Sequence, residues 1–198
     1  MNATTATISV EPSAERTPPK GLVAMTCLII AESAIFTIFV VAYLFYIGKS
    51  LSGPTPREVL ELPVLNTICL LSSSVTITIA VRALSRGDSK QFSLWWLATV
   101  ALGGYFLFGT AHEWHRLIYE KGLTIQTNLF GTTFYSLVGL HASHVIVGLL
   151  AMLIVVTFAL TGSVRQEHVG RAHVLALYWH FVDAVWIVVF TVVYIIGR

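Results

Sequence analysis

The sequence predicts an all-α integral membrane protein built from five transmembrane helices. Of its 198 residues, 56% are hydrophobic and only 11% are charged, and the mean hydropathy is +0.78. Soluble domains carry roughly 25% charged residues, so a soluble fold is excluded. A transmembrane helix needs about 20 consecutive, mostly apolar residues. Five runs meet that length: 21–47, 62–84, 92–115, 129–160 and 172–196.

The remaining segments are short and polar. The first 20 residues contain three prolines and lack the basic start and short apolar segment of a signal peptide. We therefore predict a disordered cytoplasmic tail over 1–20 and a single transmembrane domain over 21–198. The connections are too short to hold a soluble domain for a nucleotide or a peripheral haem. The net charge of +2 gives no indication of nucleic-acid binding.

The first two runs are joined by a turn region over 48–61 that is rich in Pro, Gly and Ser. Pro63 suits the first turn of the second helix, because proline needs no backbone partner there. The second run carries small hydroxyl side chains that let membrane helices approach closely. These are Ser72, Ser73, Ser74, Thr76 and Thr78.

A tight turn at 86–90 joins the second run to the third, and a turn at 162–171 joins the fourth run to the fifth. The third run ends in His112, Glu113 and His115, which we expect to lie in solvent at the membrane interface. Asn128 is placed to cap the fourth helix. That helix is longer than the bilayer is thick, so it must tilt or project.

Basic residues in the flanking segments predict the orientation, because cytoplasmic loops carry an excess of Lys and Arg. With the N-terminus inside, the cytoplasmic side collects more of them than the outer side. The cytoplasmic set is Arg16, Lys20, Arg82, Arg86, Lys90, Arg165 and Arg171, against Lys49, Arg57, Arg116, Lys121 and Arg198 outside. We therefore predict a cytoplasmic N-terminus in a multi-pass protein.

Five ionisable side chains fall near the middle of the predicted spans: Glu32, His141, His144, His180 and Asp183. Ionisable groups at membrane depth are rare and mark functional or tightly paired sites. A bound metal, a proton pathway and a structural hydrogen-bond cluster could each account for them. Di-iron bundles use more carboxylates, and transporters show repeats and broken helices that this sequence lacks. We therefore favour structural hydrogen bonds for the histidines and Asp183, and leave Glu32 open between structure and a modulating role.

The last run predicts a docking helix. His180 and Asp183 are three residues apart and share one helix face, and Trp179 and Trp186 stand beside them. Gly139 and Ser143 form a small-xxx-small pair on the fourth helix. We expect these two tryptophans and two small residues to pack against lipid or another subunit.

Taken together, these residues resemble subunit III of the haem–copper terminal oxidases, in its short five-helix bacterial form. Ordered segments carry the resemblance along the chain after residue 20. They are Ala31–Phe36 (AESAIF), Leu62–Thr67 (LPVLNT), Leu71–Thr76 (LSSSVT), Phe134–Val145 (FYSLVGLHASHV) and, most specifically, Tyr178–Trp186 (YWHFVDAVW).

The resemblance implies a non-catalytic accessory subunit of a proton-pumping respiratory complex that reduces oxygen to water, most often a cytochrome c oxidase. It implies a bacterial plasma membrane location and partnership with subunits I and II, which hold the haem and copper. This chain would hold no metal, would bind phospholipid, and would stabilise subunit I. By its motif Glu32 matches the family's intramembrane Glu, which implies a role in tuning proton uptake.

The sequence departs from the family pattern in three places. The first two helices of the longer members are absent, so another subunit must complete the lipid cleft or leave it open. His173 stands where many members carry Glu, and His141-Ala-Ser-His144 replaces His-Gly-x-His. The first change puts any role of that Glu in doubt here, and the second should tighten or shift a close helix contact.

Other functions stay open at this point. Quinol oxidases have a very similar subunit III, including the turn from Gly53 to Pro63, and the electron donor binds elsewhere. An accessory subunit of nitric oxide reductase is a further alternative. From another class, a membrane metal enzyme or a transporter would use the same ionisable residues.

Overall fold

A computed structural model describes residues 19–50 and 52–198 of the chain. The described residues form five membrane-length helices and no strand, which confirms the predicted all-α class. The helices are α1 (Lys20–Tyr46), a short α2 (Pro56–Val59), α3 (Val64–Ser85), α4 (Ser89–Tyr119), α5 (Leu129–Leu160) and α6 (Val169–Phe190). The predicted disordered tail lies, up to residue 18, outside the described residues.

Two helices are longer than the apolar runs that predicted them. Helix α4 begins at Ser89, where the Asp88 side chain accepts a hydrogen bond from the Gln91 amide at 3.0 Å. The α6 segment is preceded by a 3₁₀ turn at Gln166–His168 and continues as a π-helical turn over Thr191–Ile196. The polar start of α4, which hydropathy leaves out of the span, is thus helical, because the Asp88 side chain satisfies a free backbone amide there.

Helix α6 lies at the centre of the bundle. It packs against α1, α3 and α5, while α3 and α4 form the most extensively packed pair. The α3–α4 connection is a tight turn in which Gly87 adopts φ 81°, a left-handed conformation that favours glycine. Helix α1 packs mainly against α5 and α6, with a smaller contact to the turn that follows α6, so it lies towards the edge of the bundle.

Three buried indoles fasten the helices to one another. Trp96, Trp179 and Trp186 are at most 1% exposed. Their ring N–H groups donate to the Met152 carbonyl of α5 at 3.1 Å, and to Ser73 at 2.8 Å and Thr67 at 3.1 Å on α3. A buried indole N–H needs such a partner, so each bond fixes the register of two helices. Trp179 and Trp186 therefore pack inside this chain.

Polar contacts hold the loops at the end of the bundle that joins α4 to α5. Arg116 donates two hydrogen bonds to the Glu61 carboxylate, at 3.0 and 2.8 Å. These bonds lower the pKa of Glu61. As predicted, Asn128 caps α5, accepting from the Gly131 amide at 2.8 Å, and its side-chain amide also donates to Ser52.

The glycines that lie closest to Trp179 are not the predicted pair. A Cβ at Gly148 would come within 2.9 Å of the Trp179 ring, and one at Gly103 would come equally close to the same ring. At Gly139 the nearest atom, on Trp114, is 3.4 Å away, and Ser143 is exposed. The intrachain contact is thus organised around Trp179, which needs a glycine on α4 and another on α5.

Adjacent glycines on α4 test this packing. A Gly103→Ala substitution forces Cβ into Trp179 and Leu149, and overpacking of this kind costs about 1–3 kcal/mol. Gly104 has no atom within 4 Å of its added Cβ, so Gly104→Ala should be neutral or stabilise the helix by up to about 1 kcal/mol. Thermal unfolding of the two variants in the same membrane preparation makes the comparison. Equal losses would show that Gly103 is not a close-contact position.

Candidate functional site

The five ionisable side chains predicted near mid-membrane depth separate into two clusters and one isolated histidine. Glu32 and His144 join α1 to α5, whereas His180 and Asp183 on α6 meet Ser74 on α3. His141 lies apart from both in an aromatic environment. The clusters are formed by different helix pairs, so they can be considered separately.

The Glu32–His144 contact joins a carboxyl group and an imidazole. His144 Nε2 lies 3.1 Å from Glu32 Oε2, and its Nδ1 lies 2.8 Å from the Leu140 carbonyl oxygen. The Glu32 side chain is 22% exposed and the His144 side chain is 14% exposed. Both groups are therefore largely removed from solvent and are held by neighbours on two helices.

The hydrogen-bond roles in this pair follow from the carbonyl. A carbonyl oxygen only accepts, so His144 Nδ1 carries a proton and donates to Leu140. The contact at Nε2 then requires one further proton, either on Glu32 as a neutral acid or on Nε2 as an imidazolium ion. The pair thus shares one proton and has no net charge in either arrangement. Sequence reasoning missed this pairing because the two residues are 112 positions apart.

The second cluster is centred on a serine. The Ser74 hydroxyl contacts Asp183 Oδ2, and it lies 3.0 Å from His180 Nδ1. The Thr78 hydroxyl lies 3.4 Å from His180 Nε2. The Ser74 hydroxyl thus lies between the His180 and Asp183 side chains. The many hydroxyl side chains of the second run indicated that one of them could contact α6. The sequence did not distinguish Ser74 from its neighbours as that residue.

His141 is fully buried among aromatic rings. Its ring centroid lies 4.9 Å from that of Trp186, 5.8 Å from Phe106 and 6.5 Å from Phe36. Neither ring nitrogen has a hydrogen-bond partner in the described part of the chain. A charged imidazole would be costly there, so His141 packs as a neutral aromatic ring.

One residue expected in solvent is paired instead. Glu113 accepts hydrogen bonds from the Tyr194 hydroxyl, at 3.0 Å to Oε1 and 3.1 Å to Oε2. Tyr194 is 1% exposed, on the π-helical turn after α6. The expectation of a solvated Glu113 is therefore wrong, because the end of the α6 segment covers this face of α4.

The geometry argues against the alternative of a shared metal centre. Within residues 19–50 and 52–198, no three His, Cys, Asp or Glu side chains lie close enough to hold one ion. The residues suggested as ligands are split between the two clusters and His141. What the site can do chemically is hold protons at two separate positions within the bilayer.

Comparisons with known proteins agree on one family. The family model described as Cytochrome c oxidase subunit III matches residues 19–198. Cytochrome c oxidase subunit 3 of Alkalihalophilus pseudofirmus is 34% identical over 168 residues, which cover 84% of this chain and 82% of that protein. The same subunit of Bacillus sp. strain PS3 is 36% identical over 168 residues, covering 84% and 81%.

A relative named after a different electron donor is equally similar. Cytochrome bo(3) ubiquinol oxidase subunit 3 of Pseudomonas aeruginosa is 34% identical over 171 residues, covering 85% of this chain and 81% of that protein. All these relatives are third subunits of respiratory oxidases. This chain belongs to the cytochrome c oxidase subunit III family, the accessory third subunits of the haem–copper oxidases.

Proposed function

We propose that this chain is the accessory subunit III of a proton-pumping cytochrome c oxidase in a bacterial plasma membrane, with its N-terminus in the cytoplasm. Subunits I and II would hold the haem and copper, and this chain would stabilise subunit I and support proton uptake. Phospholipid would fill the spaces between the subunits. The observation that carries the proposal is the Glu32–His144 pair, a proton-sharing contact on the outermost helix of a non-catalytic subunit.

Helix α1 supplies the surface for a partner. It carries large apolar side chains that are 61–66% exposed: Ile30, Ile38 and Phe45. Glu32 lies on the same helix and retains partial exposure beside His144. At 3.6 residues per turn, these three side chains lie on the side of α1 opposite Glu32, so a subunit docked on them would hold α1 without covering the Glu32–His144 pair.

A quinol oxidase is the second candidate for the whole complex. The ubiquinol oxidase relative and the Alkalihalophilus pseudofirmus cytochrome c oxidase relative share the same 34% identity with this chain. The preference for cytochrome c follows the family description and the larger group of similar subunits that carry that name. The donor binds to another subunit in either case.

Purification of the intact complex through a tag on this chain tests the proposal. Haem absorbance and copper should accompany larger membrane subunits, and electron transfer from reduced cytochrome c should exceed that from quinol. A complex that prefers quinol would move the assignment to the second candidate. A chain that comes down alone, without haem, would contradict an oxidase subunit of either kind.

The role of Glu32 is tested by Glu32→Gln. The amide keeps the side-chain shape but cannot release a proton, so the complex should assemble normally and lose activity faster during sustained turnover. Oxygen consumption recorded from the first turnovers onward measures this loss. Glu167→Gln, at an exposed position near the start of α6, is the matched control. Unchanged sustained activity in Glu32→Gln would contradict the proposed role.

Asp183 should behave differently from Glu32. In Asp183→Asn an amide NH₂ with two hydrogens replaces one oxygen, and the Ser74 hydroxyl can accept only one of them, so a buried donor is left unsatisfied at a cost of about 1–3 kcal/mol. We expect less of this subunit to remain in the purified complex, as measured by its stoichiometry to haem. Asp88→Asn is the matched control, because asparagine caps a helix as well as aspartate does. If the Glu32→Gln and Asp183→Asn subunits are retained equally in the complex, the proposed difference between a functional Glu32 and a structural Asp183 would be contradicted.

A further inference from the structure

The Ser74 hydroxyl stands between an acid and a base. It contacts Asp183 Oδ2 on one side and lies 3.0 Å from His180 Nδ1 on the other. A hydroxyl carries a single proton, so it can donate to only one of these groups and must accept from the other. The direction of the two bonds is therefore coupled.

Thr78 fixes the other nitrogen of His180. Its hydroxyl donates to the Ser74 carbonyl oxygen at 2.8 Å, which uses its only proton. Its oxygen can then only accept from His180 Nε2, which lies 3.4 Å away. His180 Nε2 therefore carries a proton, and the protonation of Nδ1 alone remains to be assigned.

Two arrangements satisfy every contact. In the first, Asp183 is a neutral acid that donates to Ser74, and Ser74 donates to the unprotonated Nδ1 of His180. In the second, Asp183 is ionised and accepts from Ser74, which accepts from a protonated Nδ1. They differ by a shift of two protons along the chain of three groups, and both have zero net charge.

We propose that Asp183, Ser74 and His180 form a proton-sharing unit that holds one proton, at rest on Asp183, and passes it to His180 through the Ser74 hydroxyl. The Asp183 proton moves to Ser74 Oγ as the Ser74 proton moves to His180 Nδ1. The products are a carboxylate, an unchanged hydroxyl and an imidazolium ion. The site is additional to the Glu32–His144 pair and lies on different helices.

The burial of Asp183 sets the resting state. Asp183 is 3% exposed, and its Oδ1 has no hydrogen-bond partner among the described residues. No Lys or Arg forms an ion pair with it in that part of the chain, and the charge-bearing groups that face the unit are His180 itself and His173 on the same helix. An ionised carboxylate with an unpaired oxygen is far more costly in the membrane than a neutral acid.

Ser74 and His180 provide the route to the outside of this chain. Both side chains are only partly buried, whereas Asp183 is enclosed. A proton on Asp183 thus reaches the surface of the α3–α6 contact through Ser74 and His180. The unit can exchange its proton with water or with a group on a partner at that surface.

Infrared spectroscopy tests the proposal on the intact complex, purified from cells grown with ¹³C-labelled aspartate. The label identifies the C=O stretch of a protonated aspartic acid, and transfer into D₂O gives the exchange rate of its proton. Ser74→Ala should move one such band to higher wavenumber and slow its exchange by about 100-fold, the scale of a lost proton-transfer group. Ser74→Thr restores the hydroxyl and should restore fast exchange.

Two further variants complete the design. Ser72→Ala alters an exposed serine of the same helix and should leave the band and its exchange unchanged. His180→Gln should slow exchange as Ser74→Ala does, which covers the case in which Ser74→Ala fails to assemble. The proposal would be overturned if the wild-type complex shows no band of a protonated aspartic acid. It would also be overturned if the band responds to none of these substitutions. Exchange in Ser74→Ala and His180→Gln that is as fast as in Ser72→Ala would likewise overturn it.

Discussion

The bundle depends on one constraint: polar side chains carried into the bilayer need hydrogen-bond partners within the protein, because lipid tails offer none. Of the five central ionisable residues, only His141 has no such partner in the described part of the chain. Helix α6 meets this constraint on two sides. Trp179, Trp186 and Asp183 each bond to a Ser or Thr of α3, and Tyr178 donates to the His144 carbonyl of α5 at 3.2 Å. Since these contacts fix rotation as well as position, they account for the central place of α6 in the bundle.

Neutrality is the second consequence of the same constraint. Both acids at membrane depth contact an imidazole, Glu32 directly and Asp183 through Ser74. Each cluster holds a single proton and carries no net charge in either arrangement, so neither requires a Lys or Arg partner. A subunit without redox metals can in this way hold protons inside the membrane at low cost to its stability, which is the property that an accessory role in proton uptake requires.

Hydropathy and resemblance predicted much of the fold and the family. Five apolar runs correspond to the five long helices, and Asn128 caps α5 as its position indicated. The partners in the site could not be predicted in the same way, because the contacts of Glu32 and Asp183 span more than a hundred residues. Periodicity places a residue on a helix face but does not say which helix lies opposite. For the same reason Glu113 was expected in solvent, although Tyr194 covers it.

The most direct test of this account is a double-mutant cycle on Glu32 and His144 in the assembled complex. Glu32→Gln, His144→Gln and the double variant are compared by the temperature at which this subunit dissociates. Residues that share one proton should show a coupling of about 0.5–3 kcal/mol, with the double variant losing less than the sum of the single losses. Strictly additive losses of stability would mean that the two side chains act independently. The contact between α1 and α5 would then not stabilise Glu32 within the membrane.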